Sequence, residues 1–118
     1  MRPDDPRPVT DRRAAYGARG EQIAVAAYRL RGYRVLGRRV RTPEGEVDLV
    51  CRRGRTLVVV EVKRRRVADV EERWVTHGQL ARVRAATGWL ARQHRWARTS
   101  RVDLVTIEGW RVRIVRGA

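Results

Sequence analysis

"EVDLVCRRGRTLVVVEVK", residues 46–63, reads as two β-strands joined by a short hairpin connection, "RRGR". The second strand is a run of Leu and Val that implies burial on both faces, as in a central strand. With Arg53-Gly54 as the two-residue turn, Arg52 pairs with Arg55, Asp48 lies opposite Val59 and Glu46 lies opposite Glu61. Opposed residues share a face of an antiparallel pair, and so do alternate residues along each strand. Glu46, Asp48, Glu61 and Lys63 therefore project from one face, with Asp48 and Glu61 as diagonal neighbours roughly 7–8 Å apart at the backbone. Two carboxylates reaching together from central strands suit a hard cation such as Mg²⁺ or Mn²⁺. Ordinary solvated charges are the plain alternative, and a structural Glu61–Lys63 ion pair fits the same facts. Against a solvated face, Glu61 and Lys63 extend an apolar run. The chain also has only 13 acidic residues, and three of them fall on this hairpin face.

Outward from the hairpin, the pattern predicts one α/β domain. "MRPDDPRPVTDRR", residues 1–13, holds three of the four prolines and is expected to be a disordered lead-in to a single domain over 14–118. A helix is expected from Ala14 to Leu30, with Tyr16, Gly20, Ile23, Ala27 and Leu30 as its apolar stripe, widened by Gly17, Ala24 and Tyr28. "YRVLGRRV" is a first strand and "TPEG" a turn. "RVADVEERW" reads as a charged loop, and a second helix over about Val75–His94 turns Leu80, Val83, Ala86 and Leu90 inward. "RVDLVTI" and "WRVRIV" are strands joined by a tight turn at Glu108-Gly109. The expected order is α-β-β-β-α-β-β, a mixed sheet with helices packed on it.

A formal charge of +15 in 118 residues points to a polyanionic partner, nucleic acid before membrane. Codon bias explains arginine in place of lysine, but not 28 basic residues against 13 acidic ones. The single cysteine, Cys51, excludes an internal disulfide and a thiolate metal cage, and its place in "VDLVC" suits a small packed residue. No apolar run reaches membrane-spanning length and no signal peptide is evident, so a cytoplasmic protein is expected.

Lys63 is the only lysine among those 28 basic residues. Beside a metal and a phosphodiester, an ammonium can position water, neutralise transition-state charge or give up a proton. A guanidinium is wide, planar and never a base, so arginine replaces lysine well in DNA binding and poorly at such a site.

Asp48 followed thirteen positions later by Glu61-Val62-Lys63 resembles the PD-(D/E)XK motif of metal-dependent nucleases. Over a longer span, "GARGEQIAVAAYRLRGYRVL", "GEVDLVCRRGRTLVVVEVKRRR", "HGQLARVRAATGWL" and "RVDLV" resemble, in order, the bacterial YraN-like family. That family is a branch of the same superfamily, related to archaeal Holliday-junction resolvases. The resemblance implies a restriction-endonuclease-like fold in which Asp48, Glu61 and the Val62 carbonyl bind the metal and Lys63 is catalytic. Glu21 matches a helical glutamate that some members add to the site, although an ordinary boundary glutamate fits its place equally. Glu46 matches the glutamate of the family's "GEID" pattern and is a candidate for outer-shell or second-metal duty. Gln79 also matches, and it completes a capping box with Thr76 as well. Val47 replaces the proline of the eponymous motif, Arg39 stands where asparagine is frequent, and Val102 where phenylalanine is frequent. No proposed ligand is lost.

Arg64, Arg65 and Arg66 follow the lysine strand and are candidates to grip phosphates; Arg82 on the second helix and Arg111 and Arg113 on the last strand are further candidates. Nothing resembles a base-reading motif, so recognition of DNA backbone or shape is expected rather than of sequence. The four tryptophans are expected in the core, since the chain has no phenylalanine. Two functions follow as expectations. One is Mg²⁺- or Mn²⁺-dependent hydrolysis of DNA, on branched or structured substrates by resemblance to resolvases, a function that would require a homodimer presenting two sites. The other is a non-catalytic nucleic-acid-binding module on a nuclease scaffold. RNA is the lesser partner.

Overall fold

The computed structural model describes the backbone of residues 7–65 and 77–118, with side chains over 19–64 and 78–118. Its elements are α1 (Arg7–Leu30), β1 (Arg34–Thr42), β2 (Gly45–Arg53), β3 (Thr56–Arg65), α2 (His77–Gln93), β4 (Thr99–Glu108) and β5 (Arg111–Arg116). This is the expected α-β-β-β-α-β-β order. The five strands form one sheet in sequence order. Neighbours run antiparallel except β3 and β4, which are parallel. A parallel pair needs a long crossover, and the segment carrying α2 supplies it.

β3 is the centre of the molecule. Val58 and Val60 pack with Ala24, Tyr28, Leu49, Cys51, Val105 and Ile107 on the α1 side. Leu57 and Val59 pack with Val47, Val50, Val83, Ala86 and Leu90 on the α2 side. Burial on both faces is what the valine run implied. Val83, Ala86 and Leu90 face inward as expected, with Leu80 packed beside them. Cys51 is a packed core residue, and burial pushes its thiol up to about 12.

Several features differ from expectation. α1 starts at Arg7, inside the stretch read as lead-in, with Pro8 in its first turn, where a missing N–H costs nothing; residues 1–6 and the charged segment 66–76 lie outside the described residues. The buried line of α1 is rotated from the expected stripe. Glu21, Ala24 and Tyr28 are buried, at 8%, 0% and 1% exposure, while Leu30 is 87% exposed. That rotation turns Glu21 inward. The third difference is the hairpin turn. Gly54 has a φ of 61°, and the strands pair Arg53 with Thr56, so the loop is Gly54-Arg55. Glycine takes the first central position, where a type II′ turn requires it. Moving the turn by one residue slips the pairing by two and keeps Asp48, Glu61 and Lys63 on one face, while Glu46 leaves it because Val47 turns to the α2 side. It replaces the expected diagonal with direct opposition, because Leu49 pairs with Val60 and the next level holds Asp48 and Glu61.

Candidate active site

The β2–β3 ladder stops at Leu49 and Val60, and the two carboxylates stand where it would continue. The Val62 N–H donates to Asp48 Oδ2 at 2.8 Å, and the Asp48 N–H donates to Glu61 Oε1 at 3.4 Å. Each acid thus serves a backbone donor of the opposite strand in place of a ladder bond. A strand residue presents its N–H and C=O to the same neighbour, so the Val62 carbonyl is directed to the Asp48 side.

The cause is a kink in β2. Residues two apart on a strand share a face, yet Val47 packs in the α2-side cluster and Leu49 in the α1-side cluster. The backbone therefore rotates at Asp48. Across from it on β1, between the pairs Arg38–Leu49 and Val40–Val47, sits Arg39 with a φ of 51°, the one non-glycine residue at positive φ among those described. Asparagine is better suited to that region than arginine. Arg39 is held there by its Nε, which donates to both carboxylate oxygens of Glu21 at 3.1 Å; Arg38 adds a 3.9 Å ion pair.

The site is electrostatically loaded. Burial, followed by the Asp48 charge, pushes Glu61 up to about 7, against the Asp48 N–H and the charges of Arg82 and Lys63. Asp48 is raised as well, by burial first and then by the charges of Glu21 and Glu46, while the Val62 N–H and Lys63 oppose the shift. Two adjoining acids resisting ionisation in a half-buried position form a donor set that a hard divalent cation would relieve. Asp48, Glu61 and the Val62 carbonyl fit such an ion by that chemistry. Among the described residues no group of three or more His, Cys, Asp or Glu side chains converges to hold a metal. Glu21 is buried and its charge bears on Asp48, but its carboxylate is engaged by Arg39 rather than grouped with the pair.

The remaining candidates divide clearly. Arg82 reaches from α2 into the site, with NH2 3.8 Å from Glu61 Oε2 and NH1 donating to the Glu46 carbonyl at 3.2 Å. It lies over Gly45, whose φ of 123° is a backbone conformation that favours glycine. The backbone of Glu46 makes that contact, and its side chain is exposed. Gln79 is exposed on the first turn of α2; Thr76, its expected capping partner, lies outside the described residues. Arg64 is half-buried, its stem near Gly20 of α1 rather than extended outward. The Arg65 side chain and Arg66 lie outside the described residues. Arg111 and Arg113 are exposed on β5, and Val112 and Ile114 between and beside them pack toward α1.

Register gives Arg113 a relation to the site that spacing alone did not. Lys63 pairs with Thr106, and Thr106 pairs with Arg113. Paired residues share a face, so one row crosses three strands from the lysine to an exposed arginine, about 10 Å away. Sequence reasoning missed the Arg39 clamp and misplaced Trp110. Trp89 and Trp96 pack against the α2-side core as expected, but Trp110 is 95% exposed on the β4–β5 turn. Trp74 lies outside the described residues.

Comparison with known proteins gives the lineage. The model of "Uncharacterised protein family UPF0102" matches residues 20–107, which include Glu21, Asp48, Glu61, Lys63 and Arg82 but not Arg111 or Arg113. The chain belongs to UPF0102. It is similar to the UPF0102 protein of Mesorhizobium japonicum, 46% identical over 89% of this chain and 87% of the relative. A UPF0102 protein of Chelativorans is 45% identical over 81% of each chain, and one of Parvibaculum lavamentivorans is 48% identical over 80% and 74%. UPF0102 is the YraN-like group that the four sequence stretches resemble. Among the described residues of this UPF0102 protein, no helix is long and apolar enough to cross a membrane.

Proposed function

We propose that this protein hydrolyses DNA phosphodiester bonds at the Asp48–Glu61 pair with Mg²⁺ or Mn²⁺. The observation that carries the reading is the pair itself: two half-buried carboxylates brought together where their strands stop pairing, with the chain's only lysine two residues on. A divalent cation held by Asp48, Glu61 and the Val62 carbonyl supplies Lewis acidity toward a phosphoryl oxygen and acidifies water. The protein's own groups do the rest. Lys63 brings an ammonium to the carboxylates, where it orients the attacking water and offsets charge on the phosphoryl group. Arg82 sets the position of Glu61. Arg113, along the Lys63 row, and Arg111 hold flanking phosphates, and Trp110 offers an exposed ring for a base to stack on. Structured or branched DNA in the cytoplasm is the substrate this reading favours.

A cleavage panel of single-stranded, duplex, flap and four-way-junction DNA with Mn²⁺ or Mg²⁺ tests it. Cleavage of at least one substrate is expected from the native protein, with loss of roughly 100-fold or more in Asp48→Asn while DNA affinity is retained. Cleavage equal in the two proteins would place the chemistry elsewhere. One observation favours the competing reading of a non-catalytic DNA-binding module: Arg82 already gives Glu61 a counter-charge. No cleavage of any substrate, with DNA binding indifferent to metal, would support that module.

Trp110→Ala is expected to weaken single-stranded DNA binding by about 1–3 kcal/mol, leaving the slope of log affinity against log salt unchanged. A changed slope with no loss at low salt would remove Trp110 from the contact surface.

A further inference from the structure

Besides pairing its backbone with Glu61 and Val62, the "RVDLV" stretch builds a separate part of the molecule. Its Asp103 is fully buried and lies beneath a cavity of about 440 Å³ near the C-terminal end of α1. Asp103 accepts from the Tyr28 hydroxyl at 2.7 Å, from Arg101 Nε at 2.8 Å and from the Gly117 N–H at 3.1 Å. A buried carboxylate with this many donors is a rigid post, and what it fixes is the Arg101 guanidinium. Arg101 NH2 in turn donates to the Tyr33 hydroxyl, as does Arg116 NH2 at 2.9 Å. Arg53 lies over the same ring, its guanidinium carbon 5.4 Å from the centroid. Three cationic heads thus gather on Tyr33, two of them at its hydroxyl oxygen.

Arg31 also lines the cavity, while one of its donors caps the Ala27 carbonyl of α1. Four arginines against one aspartate leave three positive charges around a concave space. Like charges gathered around one cavity repel, and an anion among them offsets that repulsion. Surface arginines are common in so basic a chain. Here, however, the innermost guanidinium is oriented by a buried carboxylate, and a hydroxyl donor stands beside it. Planar guanidinium forks suit phosphate oxygens, and a surplus beyond two charges suits a monoester dianion better than a diester. The volume lies within the range of small-ligand sites.

We propose that this cavity is a phosphomonoester-binding site formed by Tyr33, Arg53, Arg101 and Arg116. It is distinct from the Asp48–Glu61 site: Arg53 lies five residues beyond Asp48 on β2, roughly 17 Å along the strand. Its ligand is the terminal phosphate of a nucleic-acid strand or the phosphate of a free mononucleotide. The inference does not depend on hydrolysis at the carboxylate pair.

The test is binding to the native protein in chelator. The probes are a 5′-phosphorylated short single-stranded DNA, its 5′-hydroxyl counterpart, a 5′-mononucleotide and the matching nucleoside. A preference of roughly ten-fold or more for each phosphorylated member is expected, since one charge-assisted hydrogen bond carries about that much. The preference should vanish in an Arg53→Gln/Arg116→Gln double variant; both side chains are exposed, and its melting curve checks folding. Should that variant melt early, Tyr33→Phe keeps the ring packed against Tyr28 and removes the shared hydroxyl. It too should reduce the preference. Full preference with the mononucleotide alone identifies a free nucleotide as the ligand, and preference confined to the oligonucleotide identifies a strand end. Equal binding of phosphorylated and hydroxyl probes overturns the proposal, as does a preference that survives unchanged in a folded variant.

Discussion

Glu61→Gln is expected to stabilise the protein above neutral pH by about 3 kcal/mol and to flatten its pH dependence. Glu61 is raised from its ordinary 4.5 to about 7, by burial first and by Asp48 second. A carboxyl whose folded pKa exceeds its unfolded value holds its proton more tightly when folded. Between pH 4.5 and 7 the folded state therefore binds more protons than the unfolded state, and stability falls as pH rises through that window. Above it the full cost of a buried second charge is borne. The Glu61 side chain is only 14% exposed, so solvent screens little of this effect. Glutamine keeps an acceptor for the Asp48 N–H and carries no charge. Denaturant unfolding of both proteins from mildly acidic to alkaline pH measures the difference. A native protein with no downward slope across the window, or a variant less stable than it at alkaline pH, would contradict the electrostatic account.

Lys63→Arg is expected to lower single-turnover cleavage by roughly 100-fold or more while leaving DNA affinity nearly unchanged. The charge is conserved, so a residue that only attracted phosphate would tolerate the change. The shape is not conserved: a guanidinium is wider than the ammonium, whose charge bears on both Asp48 and Glu61. Cleavage at the native rate would make Lys63 an ordinary contact. Equal losses in affinity and rate would place it in binding rather than chemistry.

The hairpin that holds the site was legible in sequence because its alternation and its apolar run state both burial and direction. Its register was not. An arginine-glycine-arginine connection admits glycine at either central position of a primed turn, and only the backbone angle tells them apart. The same ambiguity recurs at Gly109, also at a φ of 61°, where the turn is Gly109-Trp110 rather than Glu108-Gly109. That one-residue difference decides whether Trp110 begins a strand or caps a loop in solvent. Asp48, Glu61 and Lys63 kept their shared face because a slip of two restores parity; Glu46, beyond the kink that turns Val47 to the α2 side, did not, and neither did the strand partners.

Glu21 illustrates another limit. An apolar stripe drawn through Leu30 leaves it at the edge, whereas the helix buries the line through Glu21, Ala24 and Tyr28. A glutamate adds nothing to an apolar count, so a stripe that contains one is read as rotated away from it. The Arg39 clamp was out of reach for a related reason. A positive φ in a long side chain is set by the kink opposite it, and no local residue preference announces that. The Asp103 network joins residues up to 83 apart once Tyr33 and Arg116 are included, which only the fold brings together.

The central claim is that Asp48 and Glu61 together hold a divalent cation, and calorimetric titration with Mn²⁺ at alkaline pH, without DNA, tests it most directly. The account predicts saturable binding by the native protein, lost in Asp48→Asn and in Glu61→Gln while both variants remain folded. It also predicts that the ion raises the melting temperature of the native protein alone. Binding of equal strength in all three proteins, or none in the native protein, would contradict it.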